Sequence, residues 1–300
     1  RAGSRFQELT SFVKAVAFLV LVAACFIYGG DQQPPVAPVE PSPLQAPVGL
    51  LALFAAVMLA LQSVIYAYDG WYLAIYFAEE NKDPATSIPR ALIISVVSVM
   101  AIYLMVNLAL VYVLSLPQLA ASTLPAGDAA QTIFGANGAV IISVLALITL
   151  PTIINSTLMV TPRTMFAMGR DGLFWAGTAT VNKGGTPSAA LILTVIVGLM
   201  LVLTGTFEIL LSVTAFLFVL VYGSGFLAVF VLRIKEPDLP RPFKAWGYPW
   251  TTLVVLIGSV VFLIGQLISD TRNSAYSIAM IAASYPIFLI FKKLKQPALE

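Results

Sequence analysis

The carboxylate of Asp69 is the one charge in an apolar run from Val48 to Ala78. It sits in Tyr66-Ala67-Tyr68-Asp69-Gly70-Trp71, ten residues before Glu79, which at helical rise is roughly 15 Å from the polar end of the run. A carboxylate at that depth in a bilayer is costly, and such residues usually line a ligand or ion path. As one straight helix the run would be about 46 Å long, too long for a hydrocarbon core of ~30 Å. A span interrupted near Asp69-Gly70 fits better. A break at that depth survives only where protein or a wet cavity surrounds the freed backbone groups. Its half-helix ends then offer N–H groups to a carboxylate and C=O groups to an ammonium. A zwitterionic amino acid suits such a site, with Gly70 relaxing the backbone and Tyr68 and Trp71 as aromatic walls. The competing role for Asp69 is a pairing with a neighbouring helix that only stabilises the bundle.

Lys14 is the second charge inside an apolar run, about five residues, or ~8 Å at helical rise, from its start. A lysine at that depth either snorkels to the interface or serves a buried partner. Pro151 and Asn155 lie one turn apart in a later run; Pro151 releases the carbonyl of Leu147, and Thr152 or Asn155 faces either a cavity, Lys14 or a neighbouring helix. Tyr222-Gly223-Ser224-Gly225 suits close helix packing or gating. Glu79 and Glu80 follow the Asp69 run and face a side of the chain rich in Arg163 and Arg170, an arrangement for an inner gate or for a solvated loop. Cys25 is the single cysteine, so no disulfide forms within the chain, and an inert buried thiol is expected.

These residues sit in a chain that is 59% hydrophobic and only 10% charged, with mean hydropathy +0.94. That composition belongs to an all-α polytopic membrane protein. Eight segments are long enough to span: Leu9–Tyr28, Val48–Ala78 (the broken one), Ala91–Leu116, Ala139–Val160, Ala189–Leu203, Ile209–Leu232, Thr251–Ile268 and Ala275–Phe291, the fifth being short. If they alternate, all but Lys14 and Arg272 of the 16 Lys and Arg residues fall on one side. That side is expected to be cytoplasmic, giving a multi-pass protein of the cell membrane with both ends of this chain inside. Residues 31–47 carry six prolines and suggest an extended external connection. Residues 117–135 form the other large external loop, with Pro117 ending a helix, and Thr204-Gly205-Thr206-Phe207-Glu208 is expected to be a tight turn. Nucleic-acid binding is excluded by scattered cations. The absence of His removes the usual metal ligand and proton shuttle, and no metal or cofactor is expected.

Tyr66-Ala67-Tyr68-Asp69-Gly70-Trp71, followed by Ala78-Glu79-Glu80-Asn81-Lys82-Asp83-Pro84 and Ile88-Pro89-Arg90-Ala91, resembles the sixth transmembrane helix and following loop of the amino acid–polyamine–organocation (APC) superfamily, in particular its L-type amino acid transporter branch. Asn81-Lys82-Asp83-Pro84 departs modestly from the Lys-Asn-Pro often found there. Lys14 and its surroundings are similar to the fifth helix. Gly138 to Arg163 with Met168-Gly169-Arg170-Asp171-Gly172 resembles the eighth, and Glu236 to Lys244 the loop before the eleventh. The resemblance covers essentially all 300 residues, as helices five to twelve of twelve.

That resemblance implies a partial LeuT-like fold, eight transmembrane helices with one broken at mid-membrane, in a single membrane domain over 1–300. The first four helices are expected to precede Arg1 in a longer protein. It implies substrate binding by Ile65, Tyr66, Ala67, Tyr68, Asp69, Gly70 and Trp71, with backbone carbonyls around Ile65 to Tyr68 taking the α-amino group and Asp69 near the substrate side chain. It makes Lys14, with Asn155 nearby, a stand-in for sodium that ties the eighth helix to the first. Apart from the resemblance, the charges themselves make Glu79, Glu80 and Arg163 the inner-gate candidates, with a solvated loop as the alternative. The expected function is secondary amino acid transport by alternating access, sodium-independent, by exchange or proton coupling. The expected partners are an amino acid, the lipid bilayer and the missing helices, with an accessory subunit left open. An enzyme is not expected. The competing function is a membrane fragment or scaffold that binds a partner.

Overall fold

The computed structural model describes residues 2–29, 49–204 and 207–295. Every regular element among them is helical, because a chain in hydrocarbon must satisfy its own backbone. In order these are α1 (Ala2–Tyr28), α2 (Leu50–Tyr68), a 3-10 segment (Trp71–Glu80), α3 (Pro84–Val113), α4 (Leu116–Ala121), α5 (Pro125–Phe134), α6 (Gly138–Asp171), α7 (Ser188–Thr204), α8 (Phe207–Lys235), α9 (Trp250–Ser269) and α10 (Thr271–Lys295), with short 3-10 turns at Gly135–Asn137 and Ala176–Ala179. Among the described residues, 7 helical segments are long and apolar enough to cross a membrane. The remaining expected span is α7, with 17 residues, about 25 Å at helical rise and at the short limit for crossing. The proline-rich connection at 31–47 and the turn at Gly205-Thr206 lie outside the described residues.

Several boundaries differ from expectation. Residues 117–135 hold two helices rather than a loop. Pro117 opens α4 instead of ending its predecessor, because a proline at the first helical turn sacrifices no hydrogen bond. The Ser115 backbone N–H and hydroxyl both donate to Gln118 Oε1 at 2.8 Å, the N–H bond being the Gln118 half of a capping box. α6 continues past Val160 to Asp171, carrying Arg163 and Arg170 on helix. α3 begins at Pro84, where the Ser87 N–H reaches the Asp83 carbonyl at 3.1 Å and the Thr86 hydroxyl donates to the Asp83 carboxylate. Asp83, the departure from the family pattern, thus supports the start of that helix.

The chain divides into two compact units, Arg1–Leu44 with Ile93–Thr161, and Gln45–Leu92 with Pro162–Glu300. In the first, Leu21, Val22 and Cys25 of α1 meet Ala109 and Val113 of α3 and Ala129 and Ala130 of α5 in one buried cluster. Cys25 is 1% exposed, as expected for an inert thiol. α6 begins against α5 so closely that a Cβ on Gly138 would stand 2.3 Å from the Ala130 carbonyl carbon.

In the second unit α2, α8 and α9 pack on one another around Met58, Val219 and Phe262. A Cβ on Gly265 would stand 2.3 Å from Met58 Cγ, so the glycine permits close approach of α9 to α2. One residue on, Gln266 is 1% exposed and donates from Nε2 to the Met58 carbonyl at 3.1 Å. At the α9–α10 corner Asp270 accepts from Ser212 of α8 at 2.5 Å and from the Asn273 amide at 2.9 Å. α8, α9 and α10 are thereby tied by polar bonds as well as by dispersion, the form of adhesion left where lipid cancels the hydrophobic drive.

Backbone atoms cannot retreat as a flexible side chain can. Gly138→Ala is therefore expected to lower stability by about 1–3 kcal/mol, the usual range for overpacking. Thermal unfolding in detergent checks this, with Gly198→Ala on α7, where an added Cβ meets nothing within 4 Å, as the matched control.

Candidate functional site

α2 stops where the sequence places its break. Tyr68 is the last helical residue. Asp69 is extended, with φ −65° and ψ 155°, and its N–H turns back to the Tyr66 carbonyl at 3.3 Å. Gly70 then takes φ 103° and ψ −5°, a left-handed conformation that side chains with a Cβ resist. The chain resumes as ten residues of 3-10 helix, Trp71–Glu80. Runs that long are uncommon and mark hinges or strained sequence. At ~2.0 Å per residue the segment reaches about 20 Å, against about 15 Å had it been α-helical. The C-terminal carbonyl end of α2 and its partial negative charge stand at this interruption.

Asp69 does not face the interruption alone. The Tyr222 hydroxyl, from the middle of α8, donates to Asp69 Oδ1. The Tyr222 ring packs against Trp71 at 5.5 Å, Tyr72 at 5.4 Å and Phe218 at 6.0 Å between centroids. Tyr72 also meets Tyr76 at 5.9 Å. This aromatic cluster clamps the 3-10 segment to α8 and pairs a membrane carboxylate with a donor, which lowers its cost of burial.

Beside the pair lies a cavity of about 450 Å³, within the size range of small-molecule sites. α2 and the break contribute Ile65, Tyr68, Asp69 and Trp71, and α8 and α9 close the other walls. Four of the expected substrate residues thus share one cavity. Gly70 is the hinge between them, Ala67 lies on the last turn of α2, and Tyr66 packs its ring against Phe207 at 6.0 Å.

The rim residues also meet. Arg163 Nε stands 2.8 Å from Glu80 Oε1, with its guanidinium 4.4 Å over the Phe77 ring. Arg170 grips both Glu79 carboxylate oxygens, at 3.0 and 3.3 Å. These pairs join the far end of the 3-10 segment to the far end of α6. All four side chains keep water contact, so the pairs are weak and readily broken.

Lys14 and Asn155 lie in the other unit. Lys14 is half-buried on α1. The Asn155 amide donates to Gln7 Oε1 of α1 at 3.0 Å. Gln7 and Lys14 are seven residues apart and share a helix face about 10 Å along the axis. The bond therefore sets α6 against the face that carries Lys14. Thr152, one turn earlier on α6, is fully buried and donates to the Ile148 carbonyl at 2.9 Å.

Gln7 and Tyr222 escape sequence reasoning. Tyr222 did carry a signal, being the one tyrosine in the α8 sequence, next to glycine. Gly223 faces α9, where an added Cβ would make ordinary van der Waals contact with Ser259 Cβ at 3.4 Å, whereas one on Gly225 meets nothing within 4 Å. Packing thus requires neither glycine of that motif.

A family model for amino acid permeases matches residues 1–291. The chain is 30% identical over 240 residues to the serine/threonine exchanger SteT of Bacillus subtilis, covering 79% of this chain and 55% of the exchanger. It is also 30% identical over 245 residues to the human large neutral amino acids transporter small subunit 2, covering 81% and 44%. To the branched-chain amino acid permease BcaP of Bacillus subtilis it is 27% identical over 292 residues, covering 88% and 59%. The chain spans about half the length of these curated relatives.

Tyr222→Phe keeps the ring packing and removes the hydroxyl that donates to Asp69 and also bonds Tyr72. It is expected to cost about 0.5–1.5 kcal/mol, the net worth of one hydrogen bond, since the half-buried Asp69 keeps its bond from the Gly70 N–H. Tyr76→Phe, whose ring reaches the cluster only through Tyr72, is expected to cost clearly less. Melting curves of the two variants in one detergent decide it.

Proposed function

The chain belongs to the amino acid permease family, and on that premise we propose that the protein moves neutral amino acids across the cell membrane by alternating access. One observation carries this reading. A membrane helix stops at Tyr68-Asp69-Gly70 beside a cavity of about 450 Å³. Its carbonyl end suits the α-amino group of a substrate. The relatives named above are an exchanger of serine and threonine, a transporter of large neutral amino acids and a permease for branched-chain ones, which favours uncharged side chains. No bond is made or broken in such a cycle, so differential binding in two conformations suffices.

Three features support the mechanism. The left-handed Gly70 and the long 3-10 segment form a hinge inside a span. The exposed pairs Glu80–Arg163 and Glu79–Arg170 form an inner gate at the cation-rich end, which we take as cytoplasmic. Lys14 supplies an ammonium on α1, on the face that the Gln7–Asn155 bond sets against α6. A resident ammonium removes the need for a sodium ion, so transport is sodium-independent, by exchange or by proton coupling.

Radiolabelled uptake into liposomes by the full gene product tests this reading. Asp69→Asn and Lys14→Ala are each expected to lower uptake by about tenfold or more, the effect of losing ~1.4 kcal/mol of interaction, and replacing sodium by choline is expected to leave the native rate unchanged. Native uptake with neither substitution having any effect would remove the site assignment. At the gate, Glu80→Arg is expected to slow exchange, and adding Arg163→Glu to restore it in part, because the reversed pair attracts again.

A further inference from the structure

Two glycines on neighbouring helices behave oppositely. Gly223 of α8 stands at the crossing with α9, where an added Cβ touches Ser259 at 3.4 Å. Gly258 of α9 is adjacent to that crossing and lines the cavity beside Asp69, yet an added Cβ there meets nothing within 4 Å. The crossing fixes how far α8 stands from α9. The missing side chain at Gly258 then leaves room along that wall. Ser259 turns its hydroxyl back to the Val255 carbonyl at 2.9 Å, so it offers the cavity no donor.

The remaining walls are almost wholly carbon. Val219 and Phe226 of α8, Val255 and Phe262 of α9 and Ile65 of α2 face the space. Its one charged group, Asp69, already accepts from Tyr222. An apolar or aromatic group fits this environment, since a cationic or polar one would forfeit hydration with little return. The cavity begins at Ile65 and Tyr68, on the last turn of α2, so a molecule held by the carbonyl end of that helix can extend its side chain directly between α8 and α9.

We propose that the space between α2, α8 and α9 is the side-chain compartment for bulky apolar and aromatic amino acids, and that Gly258 sets the largest side chain it admits. This rests on the transport reading above and extends it by assigning a size limit to α9. Because Gly258 faces open space, larger residues there fill the compartment without displacing a helix. One methylene in an apolar pocket discriminates substrates by about 10–200-fold, so a graded series reads the effect directly.

The test is the ratio of kcat/KM for phenylalanine to that for alanine, measured by uptake with the full gene product and with Gly258→Ala, Gly258→Val and Gly258→Leu. The ratio is expected to fall stepwise with side-chain volume, by about tenfold or more at Gly258→Val. Val255→Ala, which widens the same wall at an exposed position, is expected to raise the corresponding tryptophan-to-alanine ratio. Because each value is a ratio within one variant, a general loss of folded protein cancels. A flat Gly258 series with an unchanged Val255→Ala ratio, while the native protein transports, overturns the compartment and leaves the transport reading standing. Native protein that moves no amino acid overturns the transport reading itself, and the compartment with it.

Discussion

A peptide backbone cannot end a helix inside hydrocarbon without finding partners for the groups it releases. That constraint organises the second unit of this protein. α2 stops at Tyr68, the Asp69 N–H folds back to Tyr66, and Gly70 turns the chain through a left-handed conformation. The carboxylate of Asp69 is then matched by a phenol from α8. Each neighbour has a task set by the break: Tyr222 to donate, Trp71 and Tyr72 to shield, α9 to hold α2 through Gly265 and Gln266. The hydrophobic drive contributes little to helix adhesion in lipid, so this unit joins its helices by dispersion, by side-chain hydrogen bonds and by the close approach at Gly265.

The strength of the contacts is graded along the same segment. Near the break the 3-10 helix is clamped by four packed aromatic rings. At its far end it is held by ion pairs whose members remain in water. Screened pairs exchange partners at small cost, whereas packed rings around a half-buried hydrogen bond do not. In the transport reading proposed above, a segment tethered firmly near the break and loosely at its far end suits a pivoting motion about Gly70.

Much of this was legible in residue types. A lone carboxylate next to glycine in an overlong apolar run predicts a broken span, and the break falls there. Two acids after that run and two arginines on α6 predict a charged rim, and the pairs form. The helices α4 and α5 were not legible, because α4 is six residues long, and Pro117 reads equally as the end of one helix or the start of the next. Gln7 and Tyr222 were not legible as partners either. Their counterparts lie 148 and 153 positions away, and a single sequence holds no signal at that separation.

Composition and periodicity alone settled that this chain is helical, lives in a bilayer and interrupts one span at Asp69-Gly70, because length, charge and backbone satisfaction are local accounts that each segment must close by itself. Which phenol meets the carboxylate, which arginine takes which glutamate, and which glycine marks a crossing rather than a hollow were decided only by tertiary structure. Glycines 223 and 258 are the same residue in similar apolar surroundings. One touches the neighbouring helix and the other opens on a cavity, and that difference exists only once α8 and α9 have come to rest against each other.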